Sequence, residues 1–164
     1  MKRADPVKSI VTPIQLTYDF TPGVAASKFL HGLANKKILG GACPQCKAVI
    51  VPPRGSCPMC AVATEEVVQV SDHGTIVTFS IVRVPSDNLD FELPYACITV
   101  LLDGAGLPFF HVVQGCDLDD VRMGMRVKAE WVEDDQLETS ISSIKCFVPN
   151  GEPDADYETY KEHA

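Results

Sequence analysis

Apolar and polar positions along the chain fall into distinct regimes. Up to Thr21 the sequence reads as extended and punctuated by prolines, with Tyr18 and Phe20 as candidate anchors. From Pro22 to Leu39 apolar residues recur at helical spacing. Phe29 and Leu33 are four apart, as are Leu30, Ala34 and Ile38, which marks one face of a helix. Thr21 is placed to act as N-cap with Pro22 at the first helical position, and Gly40-Gly41 to end the run. A helix is therefore predicted over 22–39, its apolar face packing on the rest of the protein or, as the alternative, offered to a partner subunit. Beyond residue 65 the period changes to that of strands, with β-branched and aromatic runs at 74–84, 95–102, 107–113, 126–132 and 140–148. The second and third are joined by Asp103-Gly104-Ala105-Gly106, strong hairpin-turn chemistry. The last stretch, 150–164, is polar and acidic and is expected to be loosely held. No internal repeat is evident.

Five strands with hairpin turns and one helix predict a mainly β protein whose body is a five-stranded oligonucleotide/oligosaccharide-binding (OB-fold) β-barrel. The expected organisation is an N-terminal arm and helix (1–41), a cysteine-rich ribbon (42–64), the barrel (65–149) and an acidic tail (150–164). Length changes this little, because 164 residues suffice for one domain with a small satellite. Composition is globular, with 46% hydrophobic and 22% charged residues. No apolar run is long enough to span a bilayer, so no membrane association is expected. The first residues carry positive charge without an apolar core behind them, which argues against a secretory signal.

Charge removes one class of function. Fourteen basic and twenty-two acidic residues give a net charge of −8, and such a chain repels polyphosphate. Phe79, Tyr95, Phe109 and Phe110, the aromatics of the expected strands, have no Lys or Arg directly beside them. A nucleic-acid-binding module, the second reading of a ribbon joined to an OB barrel, is disfavoured for that reason.

Cysteine spacing carries the sharpest chemistry. Cys43-Pro-Gln-Cys46 and Cys57-Pro-Met-Cys60 are two CxxC knuckles separated by ten residues. Two residues between thiolates let one tight turn aim both sulfurs at one ion, and two knuckles give a closed tetrahedral site. Four thiolates favour zinc, with iron in a rubredoxin-like arrangement as the competitor. Redox chemistry is disfavoured, because there are two pairs, each with proline inside. One structural zinc on Cys43, Cys46, Cys57 and Cys60 is expected, and the thiol usage fits the reducing cytoplasm. Cys97, Cys116 and Cys146 lie in or beside strands, where core packing is the default. Cys97 with His111 remains the one conceivable nucleophile pair, for an independent acyl-CoA enzyme; no motif supports it.

A helix, a four-cysteine ribbon and a barrel in that order resemble the acyl-CoA-associated zinc-ribbon/OB-fold family, first catalogued as a domain of unknown function. The matching residues are Phe29 to Leu39, the two knuckles, Pro52-Pro53-Arg54 between them, Gly74 to Ser80, Pro94 to Val100 and Gly124 to Val127. One departure is Lys47, where the family often has glycine after the second cysteine. The resemblance implies a non-catalytic accessory subunit of a thiolase-like or lipid-transfer-protein-like aldolase subunit in lipid metabolism, extending to steroid side-chain degradation. It implies a hetero-oligomer in which this chain stabilises its partner and helps hold the CoA part of an acyl-CoA. Arg54, Arg83 and Lys47 are the candidate CoA-binding cations, with Lys36 and Lys37 flanking the ribbon. Phe29, Leu33, Tyr18 and Phe20 are the candidate partner contacts.

Overall fold

A computed structural model of the chain describes residues 6–12, 14, 16–85 and 91–164. The reading of the first few residues as lacking a secretory signal lies outside this range. Helix α1 (Gly23–Leu33) is followed by strands β1 (Ile38–Ala42), β2 (Val49–Ile50) and β3 (Val67–Val70), which form a small antiparallel sheet in the order β2-β1-β3. Strands β4 (His73–Val82), β5 (Tyr95–Leu102), β6 (Phe109–Val113), β7 (Arg126–Trp131) and β8 (Ile144–Pro149) close a barrel in the order β4-β5-β6-β8-β7. All neighbours are antiparallel except β6 and β8, which meet in parallel at Val113 and Phe147. This closed five-stranded barrel is the OB-fold predicted from the strand pattern. A register shift between Ile76 and Thr78 bends the long β4 as closure requires.

The helix is shorter than expected. It ends at Leu33, and Lys36 adopts a left-handed conformation (φ 54). The amide of Lys37 donates to Gly32 O and that of Lys36 to Leu33 O, at 3.0 Å each, the hydrogen-bond pattern of a Schellman stop. No glycine marks this stop, so the sequence pattern runs through it into Ile38 and Leu39, which belong to β1. Gly40 and Gly41 lie within β1 instead of ending the helix. A Cβ on Gly40 would sit 2.4 Å from Val49 Cγ1, so only glycine lets β2 approach there. At the other end Pro22, not Thr21, takes the cap position, and no side chain caps it.

Alternation along β5 turns Ala96, Ile98, Val100 and Leu102 into the barrel. Phe29 from α1 meets Phe109 of β6 edge-on at 6.2 Å, and Phe109 meets Phe147 of β8 at 6.5 Å. With Leu33, Ile38, Val51 and Val70 these residues form one continuous core. Helix, ribbon sheet and barrel therefore share a single interior. Phe29 and Leu33, expected to contact a partner, are 4% and 0% exposed; their apolar spacing serves the chain's own core.

The tail is held, contrary to expectation. Asp154 accepts from Arg122 Nε at 2.6 Å and Nη2 at 2.8 Å, Glu152 accepts from Arg126 Nε at 2.8 Å, and the amide of Ala155 donates to Gly124 O at 2.8 Å. Tyr160 is buried against this end of the barrel. The acidity that suggested a solvated tail is what pairs it with two barrel arginines.

Candidate metal centre

The four cysteines stand on two copies of one local structure. In the first, Cys43 N donates to Ala48 O at 2.9 Å and Lys47 N donates to Cys43 O at 3.0 Å. In the second, Cys57 N donates to Val62 O at 2.8 Å and Ala61 N donates to Cys57 O at 2.9 Å. Each turn closes through a residue with positive φ immediately after its second cysteine, Lys47 at 65 and Ala61 at 54. This accounts for the departure noted at Lys47. The turn favours glycine but only requires a left-handed conformation, which a side chain can adopt at about 1–2 kcal/mol.

All four sulfurs lie within 4.8 Å of one another, and Cys46 and Cys57 Sγ are 3.7 Å apart. A tetrahedral zinc with bonds of about 2.3 Å requires sulfurs about 3.8 Å apart, so the cage fits the ion. Cys43 and Cys57 are buried, Cys60 is half-buried and Cys46 is exposed. The amide of Cys46, 3.4 Å from Cys43 Sγ, is the main cause that lowers the Cys43 thiol to about 6 against the effect of burial. Cys60 is pushed up to about 12, first by its hydrogen bond with Cys46 and then by burial. Four crowded thiols thus resist losing their last proton, and a dication removes that resistance by neutralising the thiolates. The donor set leaves no open position, so the ion it holds is structural.

Ile50 packs between Cys43 and Cys57, with Val62 and Leu107 against them. Leu107 belongs to the β5–β6 connection, and the neighbouring Gly106 amide donates to Val49 O at 2.8 Å. The ribbon is thereby fastened to the barrel. Sequence reasoning missed this contact, since nothing in the turn residues distinguishes a glycine that turns from one that docks.

The remaining candidates lie outside the cage. Arg54 lies between the knuckles, Arg83 just past β4 and Lys47 in the first knuckle turn, all exposed and on three different connections. Among the cavities of the described surface are ones of 460 to 860 Å³ whose linings include none of these three cations. Tyr18 and Phe20 are exposed in the arm. Cys97 pairs with Val112, whereas His111 pairs with Ile98, so the two side chains project from opposite faces of the sheet. Burial raises the Cys97 thiol and lowers His111, the reverse of what an activated thiolate needs. The Cys97–His111 pair does not form.

The fold and the cage define the class: a zinc-ribbon/OB-fold protein with a closed structural zinc site. Two family models match back to back, the ChsH2 rubredoxin-like zinc ribbon domain over 31–66 and the ChsH2 C-terminal OB-fold domain over 67–132. Together they cover more than half of the chain, which belongs to this family. A DUF35 domain-containing scaffold protein of Methanocaldococcus jannaschii is 31% identical over 56% of this chain, a match that spans 65% of that relative's length. A scaffold protein of the same description from Pyrococcus furiosus is 26% identical over 60% of this chain and 71% of its own. Among solved structures, the Ltp2-ChsH2(DUF35) aldolase aligns with a TM-score of 0.60 at 21% identity, over 77% of this chain and 95% of that one. A DUF35-family protein of unknown function from Sulfolobus solfataricus aligns with a TM-score of 0.56 at 19% identity, covering 77% and 84%. At these identities the two structures speak for the fold alone.

Proposed function

We propose that this chain is a non-catalytic accessory subunit of a thiolase-like acyl-CoA enzyme. The observation that carries the reading is the closed four-sulfur cage set in the two consecutive domains of the ChsH2 family. Such a cage holds a ribbon and offers no position to a substrate, so the chemistry belongs to a partner. The relatives described as scaffold proteins support a partner, and the fold shared with the Ltp2-ChsH2(DUF35) aldolase is in keeping with a thiolase-like one. The stabilising role and the choice of a steroid side-chain acyl-CoA belong to the same reading, as does a cytoplasmic setting, with which seven free cysteines agree. Among the described residues, no helix is long and apolar enough to cross a membrane.

Arg54, Arg83 and Lys47 are exposed on separate connections. In this reading they reach CoA phosphates at the rim of a site that the partner completes. Nucleic acid is the poorer partner. Several of the cations are already neutralised, Lys36 by Asp134, Arg122 by Asp154, Arg126 by Asp103 and Glu152, and Lys145 by Glu130.

Co-expression with a thiolase-like subunit from the same organism, followed by size-exclusion chromatography and an acyl-CoA assay, tests the proposal. A single hetero-oligomeric peak with higher turnover than the partner alone is expected. In that complex Arg54→Ala or Arg83→Ala should weaken acyl-CoA use by about tenfold or more, the worth of a lost charge-assisted contact. Two separate peaks with the partner fully active alone would remove the accessory-subunit reading.

A further inference from the structure

Ahead of α1, residues 16–20 carry the apolar–polar alternation of a strand but pair with no sheet. Leu16, Tyr18 and Phe20 alternate strictly with Thr17 and Asp19, and are 79%, 77% and 74% exposed. Among the described residues, the backbone of 16–20 makes no hydrogen bond to the rest of the chain. Alternation of this kind aims three apolar side chains to one side, about 7 Å apart, while the backbone offers unpaired donors and acceptors along its edges. Both features are satisfied together only at the open edge of a β-sheet flanked by apolar pockets.

This chain does not supply that edge. Its barrel is closed. In the ribbon sheet β2 has two residues, and Val49 O is already taken by Gly106. The outer edge of β3 has four residues, and the cavities beside it are rimmed by Lys28, Lys37 and Glu65. The arm is longer than that edge, with Val7, Ile10 and Val11 continuing its exposed apolar positions. It is also neutral over residues 6–20, where Lys8 balances Asp19, although the chain as a whole carries −8. Contact through the arm is therefore apolar and main-chain in character, not electrostatic.

Resting on the accessory-subunit reading, we infer that residues 16–20 bind by adding a β-strand to an exposed sheet edge of the thiolase-like subunit, with Leu16, Tyr18 and Phe20 seated in its pockets. The test uses the full zinc-loaded chain and that subunit. Tyr18→Asp should leave zinc content and melting temperature unchanged and weaken association by roughly tenfold or more, as loss of an aromatic anchor does. In the wild-type complex, amide hydrogen exchange across 16–20 should slow at every second residue, because successive amides of a strand point to opposite sides. Unchanged affinity of Tyr18→Asp would overturn the inference and leave the accessory role standing. So would weakened affinity with no amide protection, or with protection at every residue. Self-association of the isolated chain that Tyr18→Asp abolishes would overturn it in favour of a second copy. No association of the wild-type proteins would remove this inference and the accessory role together.

Discussion

Cys43 and Ala61 show how much of this structure rests on single positions. Cys43 is one of four sulfurs around a site with no spare ligand. Cys43→Ser should therefore reduce about one bound zinc per chain to none, with loss of ordered structure over both knuckles, as metal analysis and NMR would show. Retention of stoichiometric zinc would contradict the closed cage. Ala61 occupies a left-handed position at φ 54. Ala61→Gly should raise stability by up to about 1 kcal/mol, part of the left-handed cost being offset by the freer unfolded chain. A melting temperature lowered by that change in the zinc-loaded protein would show that the turn is not under this constraint. The metal ligands were legible because ligand spacing is a local property of the sequence. The cations offered for CoA, Arg54, Arg83 and Lys47, have no such fixed spacing to announce them, and they stand on three different connections.

At the scale of elements, strand β5 is legible to the residue, since alternation with one face buried leaves no other register. Helix α1 is legible in its face but not in its end. Ile38 continues the helical spacing of Leu30 and Ala34 and equally suits a buried strand position, and Lys36 stops the helix without the glycine that usually signals it. Of the two neighbours the face allowed, the chain's own body and a partner, it packs on the chain's own core. Phe29 looks the same in sequence whether it meets a partner or Phe109. The two outcomes differ in energy. Phe29→Ala should cost about 3–5 kcal/mol of unfolding free energy in the isolated chain. Denaturant titration should show ribbon and barrel losing structure together, because they share one core. A residue kept for a partner would cost close to nothing in that measurement.

At the scale of the molecule, the tail turns an acidic excess into a clasp. Hydrogen bonding to Arg126 holds the Glu152 carboxyl below its ordinary 4.5. A depressed carboxyl contributes stability above its ordinary value and loses that contribution as pH falls through the native one. Glu152→Gln should therefore destabilise the protein at neutral pH, and the gap to wild type should close in acid, below the ordinary value. The Glu152 side chain is half-exposed, so the effect should also shrink with added salt. A gap that persists at low pH would assign the loss to packing. The sequence could not show this clasp, because the distance in sequence between Arg126 and Glu152 says nothing of their meeting across the end of a barrel.

The hydrogen bond from Gly106 to Val49 carries information between the two halves of the molecule. Its donor lies in a barrel hairpin and its acceptor in a strand of the metal-bound ribbon, next to Ile50 and the buried sulfurs. The amide of Gly106 is thus a gauge of metal occupancy that can be read without observing a cysteine. Removing zinc with a chelator should speed its solvent exchange before the interior strand β5 is affected. In a cell that runs short of zinc, the same bond would make the β5–β6 hairpin the first part of the barrel to register the shortage.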